Sequence, residues 1–174
     1  MFVMRLATEG DVPGVAEMIR ARCSWQEARG LETWRGMVDD LAGQAGSGFM
    51  WVLEDAGRIV GCTTVMTQAP PKDWTLEEAA EPALYLFTTV TDPAYREHKP
   101  GTVIALWAVD LAARQGLQWV RRGCFFPELV KYYETQGYSL VKEQDRSAGH
   151  LYLMARRTER LDLDALGLTT QATA

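Results

Sequence analysis

The sequence predicts an α/β protein with one central mixed sheet and helices on its faces, and three observations lead there. The elements run in the order β-α-α-β-β-β-α-β-α-β-β, which does not alternate as a doubly wound fold does. Asp55-Ala56-Gly57, between two strand-like runs, is a hairpin signal. The length of 174 residues, with 47% apolar and 24% charged residues, gives one ordinary globular domain enough chain to bury a core. We assign residues 1–160 to that domain and residues 161–174 to a C-terminal tail.

Phe2 to Leu6 reads as a strand, followed by Thr8-Glu9-Gly10-Asp11 at capping-box spacing. Val12, Val15, Ala16 and Ile19 then recur at i, i+3, i+4 and i+7, the stripe of a core-facing helix that Cys23 continues and Gly30 ends. A second helix is expected from Leu31 to about Ala42, packing Trp34, Met37, Val38 and Leu41 on one side before Gly-rich GQAGSG. Phe49 to Leu53 and Arg58 to Met66 form the hairpin. Gln68 to Pro82, with three prolines and an acidic cluster, reads as a surface loop that has room for a helical turn.

Ala83 to Val90 is an apolar strand, and Ile104, Trp107, Ala108 and Leu111 form the buried stripe of a helix running to about Gln115. Leu117 to Phe125 is strand-like, although Arg121 and Arg122 break its alternation and read as a solvated strand face or an ion pair. Pro127 suits a first helical turn, and Leu129, Tyr132, Tyr133 and Gln136 follow at helical spacing until Gly137. Tyr138 to Glu143 and His150 to Arg156 are strands around a turn at Asp145 to Gly149, and Leu161 to Ala174 reads as a frayed tail or loose final helix.

A net charge of -5 argues against nucleic acid, whose binding relies on clustered cations, and weakly favours a cationic substrate. Three scattered cysteines without a C-x-x-C suggest neither a disulfide framework nor a zinc site, and point to a cytoplasmic protein. No apolar run is long enough to span a membrane, and two histidines leave little for a metal site or a catalytic Ser-His-Asp relay.

Between the strand ending at Val90 and the following helix lies Asp92-Pro93-Ala94-Tyr95-Arg96-Glu97-His98-Lys99-Pro100-Gly101. A basic, glycine-bearing loop before a helix N-terminus is a phosphate site in principle, because unpaired N–H groups and the positive end of the helix dipole converge there. Neither G-x-x-x-x-G-K-[ST] nor G-x-G-x-x-G occurs, which disfavours a P-loop or Rossmann nucleotide enzyme.

From Arg5 to about Arg156 the chain resembles the GCN5-related N-acetyltransferases, the GNAT family. Arg96 followed at the right interval by Gly101 resembles that family's pyrophosphate loop. Tyr132-Tyr133-Glu134-Thr135-Gln136-Gly137-Tyr138 resembles its tyrosine, three residues, glycine, aromatic signature, and the order of elements matches as well. Two departures stand out: Lys99 takes the place of the first loop glycine, and Pro100 has no N–H to donate.

The resemblance implies a mostly antiparallel sheet, acetyl-CoA as cosubstrate, and direct attack of an amine on the thioester, the amine being a small molecule or a protein amino group. It implies pantetheine contacts at Val90 and Thr91, and pyrophosphate contacts at Arg96, Glu97, His98, Lys99, Gly101 and Thr102, mainly through main chain. Tyr133, four residues before Gly137, matches the general acid for the departing thiolate, whereas Tyr132 points about 100° away on a helix. No residue is identifiable as general base. Trp25, Glu27, Glu32 and Trp34 lie where the acceptor helices are expected; packing for Trp34 and solvation for the carboxylates are the plainer readings. No nucleic acid, membrane or metal is expected, and a homodimer is a candidate assembly. The alternative is an inactive acyl-CoA-binding or sensing domain of the same fold, motivated by Lys99 and Pro100.

Overall fold

A computed structural model describes residues 1–171. The elements are β1 (Phe2–Leu6), α1 (Val12–Glu27), α2 (Val38–Gly43), β2 (Met50–Asp55), β3 (Arg58–Met66), α3 (Leu76–Ala79), β4 (Ala83–Thr91), α4 (Pro100–Arg114), β5 (Trp119–Cys124), α5 (Pro127–Glu134), β6 (Ser139–Arg146), β7 (Gly149–Arg157) and β8 (Leu168–Thr170). The strands form an eight-stranded mixed sheet in the order β6-β7-β5-β4-β3-β2-β1-β8. β4 and β5 are parallel, as are β1 and β8, while β1 with β2, β2 with β3, β5 with β7 and β6 with β7 are antiparallel. The sheet is therefore mostly antiparallel.

The chain divides into two compact units, one of Met1–Thr64, Thr88–Ile104 and the stretch from Asp162, the other of Val65–Phe87 and Ala105–Leu161. In the first unit the stripe expected of α1 is buried, with Val15, Ala16, Ile19 and Cys23 packing beside Val38, Leu41, Met50, Val52, Cys62 and Val90. Removing each large aliphatic side chain from water contributes roughly 1.5–3 kcal/mol. Thr8 and Asp11 form the expected cap: the Thr8 N–H donates to the Asp11 carboxylate at 2.8 Å. Arg5 of β1 reaches the same carboxylate at 2.7 Å, and its hydrogen bond holds Asp11 below the usual carboxylate range. Ala56 and Gly57, at φ +48° and +83°, occupy the two central positions of the β2–β3 turn, the left-handed pair that a right-twisted hairpin requires.

Two expectations fail in this unit. No helix starts at Leu31: a 3-10 turn covers Arg35–Met37 and α2 begins only at Val38. Arg35 turns back to α1, donating to Glu27 at 2.7 Å and to Ser24 at 2.9 Å, and Thr33 donates to Glu27 at 2.8 Å. These local bonds hold the connection in a compact turn. Trp34 and Met37 are consequently 52% and 51% exposed rather than packed, and Glu27 is ion-paired rather than simply solvated. The described part of the tail is neither frayed nor a loose helix, since Leu168–Thr170 pairs with β1 and buries Leu168 completely; residues 172–174 lie outside the described residues.

In the second unit, Trp74, Ala83, Tyr85, Leu151, Leu153 and Ala155 form an apolar cluster. The loop from Gln68 to Pro82 carries the helical turn expected of it, α3, with Thr75 and Glu78 bonding reciprocally as a capping box. β6 and β7 turn more tightly than the sequence suggests, through Ser147 and Ala148. On this hairpin His150 lies between Asp145 (2.7 Å) and Glu143 (2.8 Å), whose hydrogen bonds raise its pKa above 6.5. A histidine raised on folding stabilises fully below its unfolded pKa and loses that contribution as pH rises through its folded value. His150→Gln is therefore expected to flatten the fall in thermal stability above pH 6.5, measured as Tm across pH 5.5–8.5.

Candidate functional site

β4 and β5 are hydrogen-bonded neighbours from Ala83↔Trp119 to Leu86↔Arg122, and their register ends there although β5 continues to Cys124. Past Arg122, β5 keeps its other neighbour, with Gly123 opposite Leu153 and Cys124 opposite Tyr152 of β7. In β4, Thr88 takes φ +48°, so the regular pleat is interrupted two residues past the last pair. The two strands thus part after Leu86 and Arg122. A small open cleft with a cavity volume of about 20 Å³ lies at this point, lined by Pro70, Asp73, Trp74, Tyr85, Leu86, Phe87, Arg121, Arg122, Gly123 and Leu153.

Tyr133 belongs to the same unit as the cleft. It sits in the last turn of α5, which Pro127 opens and which ends before Gly137 at φ +85°. A side chain at Gly137 would be strained twice over, by that φ and by Arg156, whose Nε would lie 3.1 Å from a Cβ there. The Arg156 guanidinium instead donates to the Gln136 carbonyl at 2.8 Å, fixing the end of the helix. Tyr133 is 9% exposed. The Arg122 guanidinium stands 3.8 Å from the centroid of its ring, and Tyr138 lies 6.4 Å away ring to ring.

Burial pushes the Tyr133 phenol above the ordinary tyrosine value, and the charge and hydrogen bond of Arg122 pull it part of the way back. The phenol therefore carries its proton throughout the neutral range. The neighbouring Tyr138 is pushed up to about 12 by burial, and its hydroxyl donates to the Ala105 carbonyl at 3.1 Å, so it is committed to structure. Tyr132 is only half-buried. Tyr133 and Tyr138 are both buried against Arg122, but the Tyr138 hydroxyl is taken by the Ala105 carbonyl, and the Arg122 guanidinium stands closer to the Tyr133 ring, at 3.8 Å against 5.8 Å.

The remaining residues anticipated from the sequence lie in the first unit. Val90 commits its side chain to the apolar cluster. Thr91 is held by Arg22, whose Nε donates to the Thr91 carbonyl at 2.8 Å and whose Nη2 donates to the hydroxyl at 2.7 Å. The loop that follows is a 3-10 helix, Pro93–His98, rather than an open turn, and Asp92 caps it by accepting from the Ala94 N–H at 2.9 Å. Asp92 is 3% exposed and also accepts from Arg58 at 2.6 Å.

This geometry differs from a cradle of unpaired main-chain donors. At the start of the 3-10 helix the Tyr95 N–H donates to the Asp92 carbonyl at 3.0 Å, the i to i+3 bond of that helix type. The Lys99 N–H donates to the Arg96 carbonyl at 3.1 Å, while the Thr102 and Val103 N–H groups both turn to the Lys99 carbonyl at 3.0 and 3.2 Å. Pro93 and Pro100 have none. Gly101 lies in the first turn of the fifteen-residue α4. The side chains of Arg96, His98 and Lys99 are exposed, and the Glu97 carboxylate stands among them. Lys99 has φ +50° and ψ +55°, the left-handed conformation for which glycine is the usual residue. Its backbone thus performs the turn expected of a glycine, at a steric cost of about 1–2 kcal/mol.

Trp25 is flanked by two guanidiniums, Arg29 at 3.7 Å and Arg22 at 4.9 Å from its ring, and Glu32 is exposed. The cleft residues Trp74, Tyr85, Arg121 and Arg122 are the part of the site that sequence reasoning missed. Arg121 and Arg122 are 3% and 5% exposed, so neither belongs to a solvated face, and Arg121 is ion-paired to Glu81 at 2.6 Å. Two adjacent arginines inside an otherwise apolar strand were the available signal.

No family model matches the chain, and no curated protein sequence does. Solved structures do match it. A GNAT-family acetyltransferase from Listeria monocytogenes is similar over 90% of this chain and 94% of its own, with 17% identity and a TM-score of 0.69. The PaiA N-acetyltransferase from Thermoplasma acidophilum, solved with coenzyme A, is similar over 90% and 99%, with 13% identity and a TM-score of 0.66. The ribosomal-protein-S18-alanine N-acetyltransferase from Escherichia coli is similar over 93% and 97%, with 14% identity and a TM-score of 0.64. The chain has the GNAT acetyltransferase fold, as the resemblance of its motifs implies. Among the described residues no helix is long and apolar enough to cross a membrane.

Proposed function

We propose that the protein is an acetyl-CoA-dependent N-acetyltransferase that transfers the acetyl group by direct attack of an amine on the thioester. The observation that carries this reading is the parting of β4 and β5 at a cleft whose lining residue Arg122 holds a buried, protonated tyrosine. Amine attack on a thioester forms an oxyanion and expels a thiolate, so the chemistry needs a hydrogen-bond donor and a proton source. Tyr133 is the proton source in this reading. At reference pKa values of about 10 for a phenol and 8.5 for a thiol, giving up that proton is uphill by roughly 2 kcal/mol, and the adjacent guanidinium favours the developing phenolate.

Val90 and Thr91 contact the pantetheine arm, and Arg96, Glu97, His98, Lys99, Gly101 and Thr102 surround the pyrophosphate. The charge is met by the α4 dipole and by the exposed side chains of Arg96 and Lys99. Gly101→Glu places a carboxylate at the head of α4 and is expected to weaken acetyl-CoA binding at least about tenfold through like-charge repulsion, without changing the far-UV circular dichroism. Unchanged affinity would place the phosphates elsewhere.

The Lys99 N–H, already bonded to the Arg96 carbonyl, and Pro100, which has none, support a second reading, a domain that binds acyl-CoA weakly or not at all and transfers nothing. The two separate in a thiol-release assay with acetyl-CoA and a panel of primary amines. Amine-dependent release is the transferase result; binding of acetyl-CoA without release for any amine would favour the second.

A further inference from the structure

Thr91 ends β4, and Asp92 caps the loop that follows. The peptide between them joins the strand assigned to the pantetheine arm to the loop assigned to the pyrophosphate. That peptide is held at both of its polar ends. The Asp92 N–H donates to the Val60 carbonyl of β3 at 2.9 Å. In a trans peptide the carbonyl points the opposite way from the N–H, so the Thr91 carbonyl faces away from β3. There it accepts from Nε of Arg22, on α1, at 2.8 Å, and Nη2 of the same guanidinium donates to the Thr91 hydroxyl at 2.7 Å.

Arg22 reaches Thr91 from a braced position. It is half-buried, and its guanidinium stands 4.9 Å from the ring of Trp25, one turn further along the helix. Trp25 is held in turn by Arg29, whose guanidinium stands 3.7 Å from the same ring and whose Nη1 donates to the Trp25 carbonyl at 3.0 Å. A planar fork that meets the carbonyl and hydroxyl of one residue together is a geometry an ammonium group lacks. The strand end needs such a hold. β4 keeps its register with β5 only as far as Leu86, and Thr88 at φ +48° interrupts the pleat before Thr91. The end of β4 therefore relies on β3 and α1.

We infer that Arg22 is a positioning residue for acetyl-CoA: by fixing the Thr91–Asp92 peptide it holds the end of β4 and the Pro93–His98 loop in the one arrangement that meets arm and pyrophosphate together. This rests on the transferase reading. Without Arg22 the joint is ordered only when the cofactor binds, and ordering one residue's backbone lowers affinity about tenfold. A ligand that meets the loop alone is spared that cost.

The test is calorimetric titration of the parent, Arg22→Met, Arg22→Lys and Arg20→Met with acetyl-CoA, and of the parent and Arg22→Met with ADP, which carries the pyrophosphate and no pantetheine arm. Arg22→Met is expected to raise the dissociation constant for acetyl-CoA about tenfold while keeping one site per chain. Arg22→Lys, which lacks the fork, is expected to fall between that variant and the parent. Arg20→Met removes the same charge from an exposed position of α1 and is expected to match the parent. ADP is expected to separate the parent from Arg22→Met by less than about twofold. A variant that only misfolds loses sites and keeps the constant. That result would overturn the inference and leave the transferase reading standing. So would an unchanged or tighter constant in Arg22→Met, full affinity in Arg22→Lys, or an equal loss in Arg20→Met or for ADP. A parent that does not bind acetyl-CoA would remove the transferase reading and this inference with it.

Discussion

Replacing Tyr133 by phenylalanine is expected to lower kcat by roughly 10²–10⁴, the usual worth of a positioned proton donor, while the affinity for acetyl-CoA stays within about twofold. The hydroxyl oxygen is the only heavy atom removed, the ring keeps its place against Arg122, and burial holds the parent phenol protonated. Loss of kcat with binding retained is the signature of an interaction made only in the transition state. Tyr132→Phe, altering the half-buried neighbour, is expected to change neither quantity. A Tyr133→Phe enzyme as active as the parent would take Tyr133 out of the mechanism.

The second large effect is on stability. Arg121→Ala is expected to cost about 3–5 kcal/mol, because it leaves the Tyr85 hydroxyl and Glu81 without their cation and opens a void beside Trp74. For a chain of this length that is a fall in Tm of roughly 10 °C. Arg121→Met, which keeps most of the volume but leaves Glu81 and the Tyr85 hydroxyl equally unpaired, is expected to recover only the part of the loss due to the void. Thermal unfolding of the two variants decides the matter. Equal losses would mean that Arg121 acts through its pairing alone and that the volume it fills is immaterial.

Much of the fold is legible in the sequence because hydrophobic period and turn chemistry agree. The α1 stripe from Val12 to Cys23, the Ala56-Gly57 turn and the Gly137 stop each pair a local propensity with the burial it predicts. Where the reading fails, a tertiary contact overrides the pattern. Trp34 and Met37 have core spacing, but the Arg35–Glu27 bond folds the connection so that they stay exposed. Leu168 has no periodic neighbours to announce a strand, and its pairing with β1 lies more than 160 residues away in sequence.

The site divides in the same way. Tyr133 and the loop from Arg96 to Gly101 stand out because a motif spacing marks them. The cleft does not, because the parting of two strands is a property of their registers and the burial of Arg121 depends on Trp74, Tyr85 and Glu81, which are distant in the chain. The loop was expected to offer a run of main-chain donors; it folds instead as a 3-10 helix in which the Ala94, Tyr95 and Lys99 N–H groups are bonded. Lys99, by contrast, takes the left-handed turn that its replacement of glycine seemed to preclude.

Calorimetric titration of the purified protein with acetyl-CoA tests the central claim most directly. Saturable binding with one site per chain, lost in Gly101→Glu, is the expected result. The absence of heat or of any thermal shift at millimolar acetyl-CoA would contradict it.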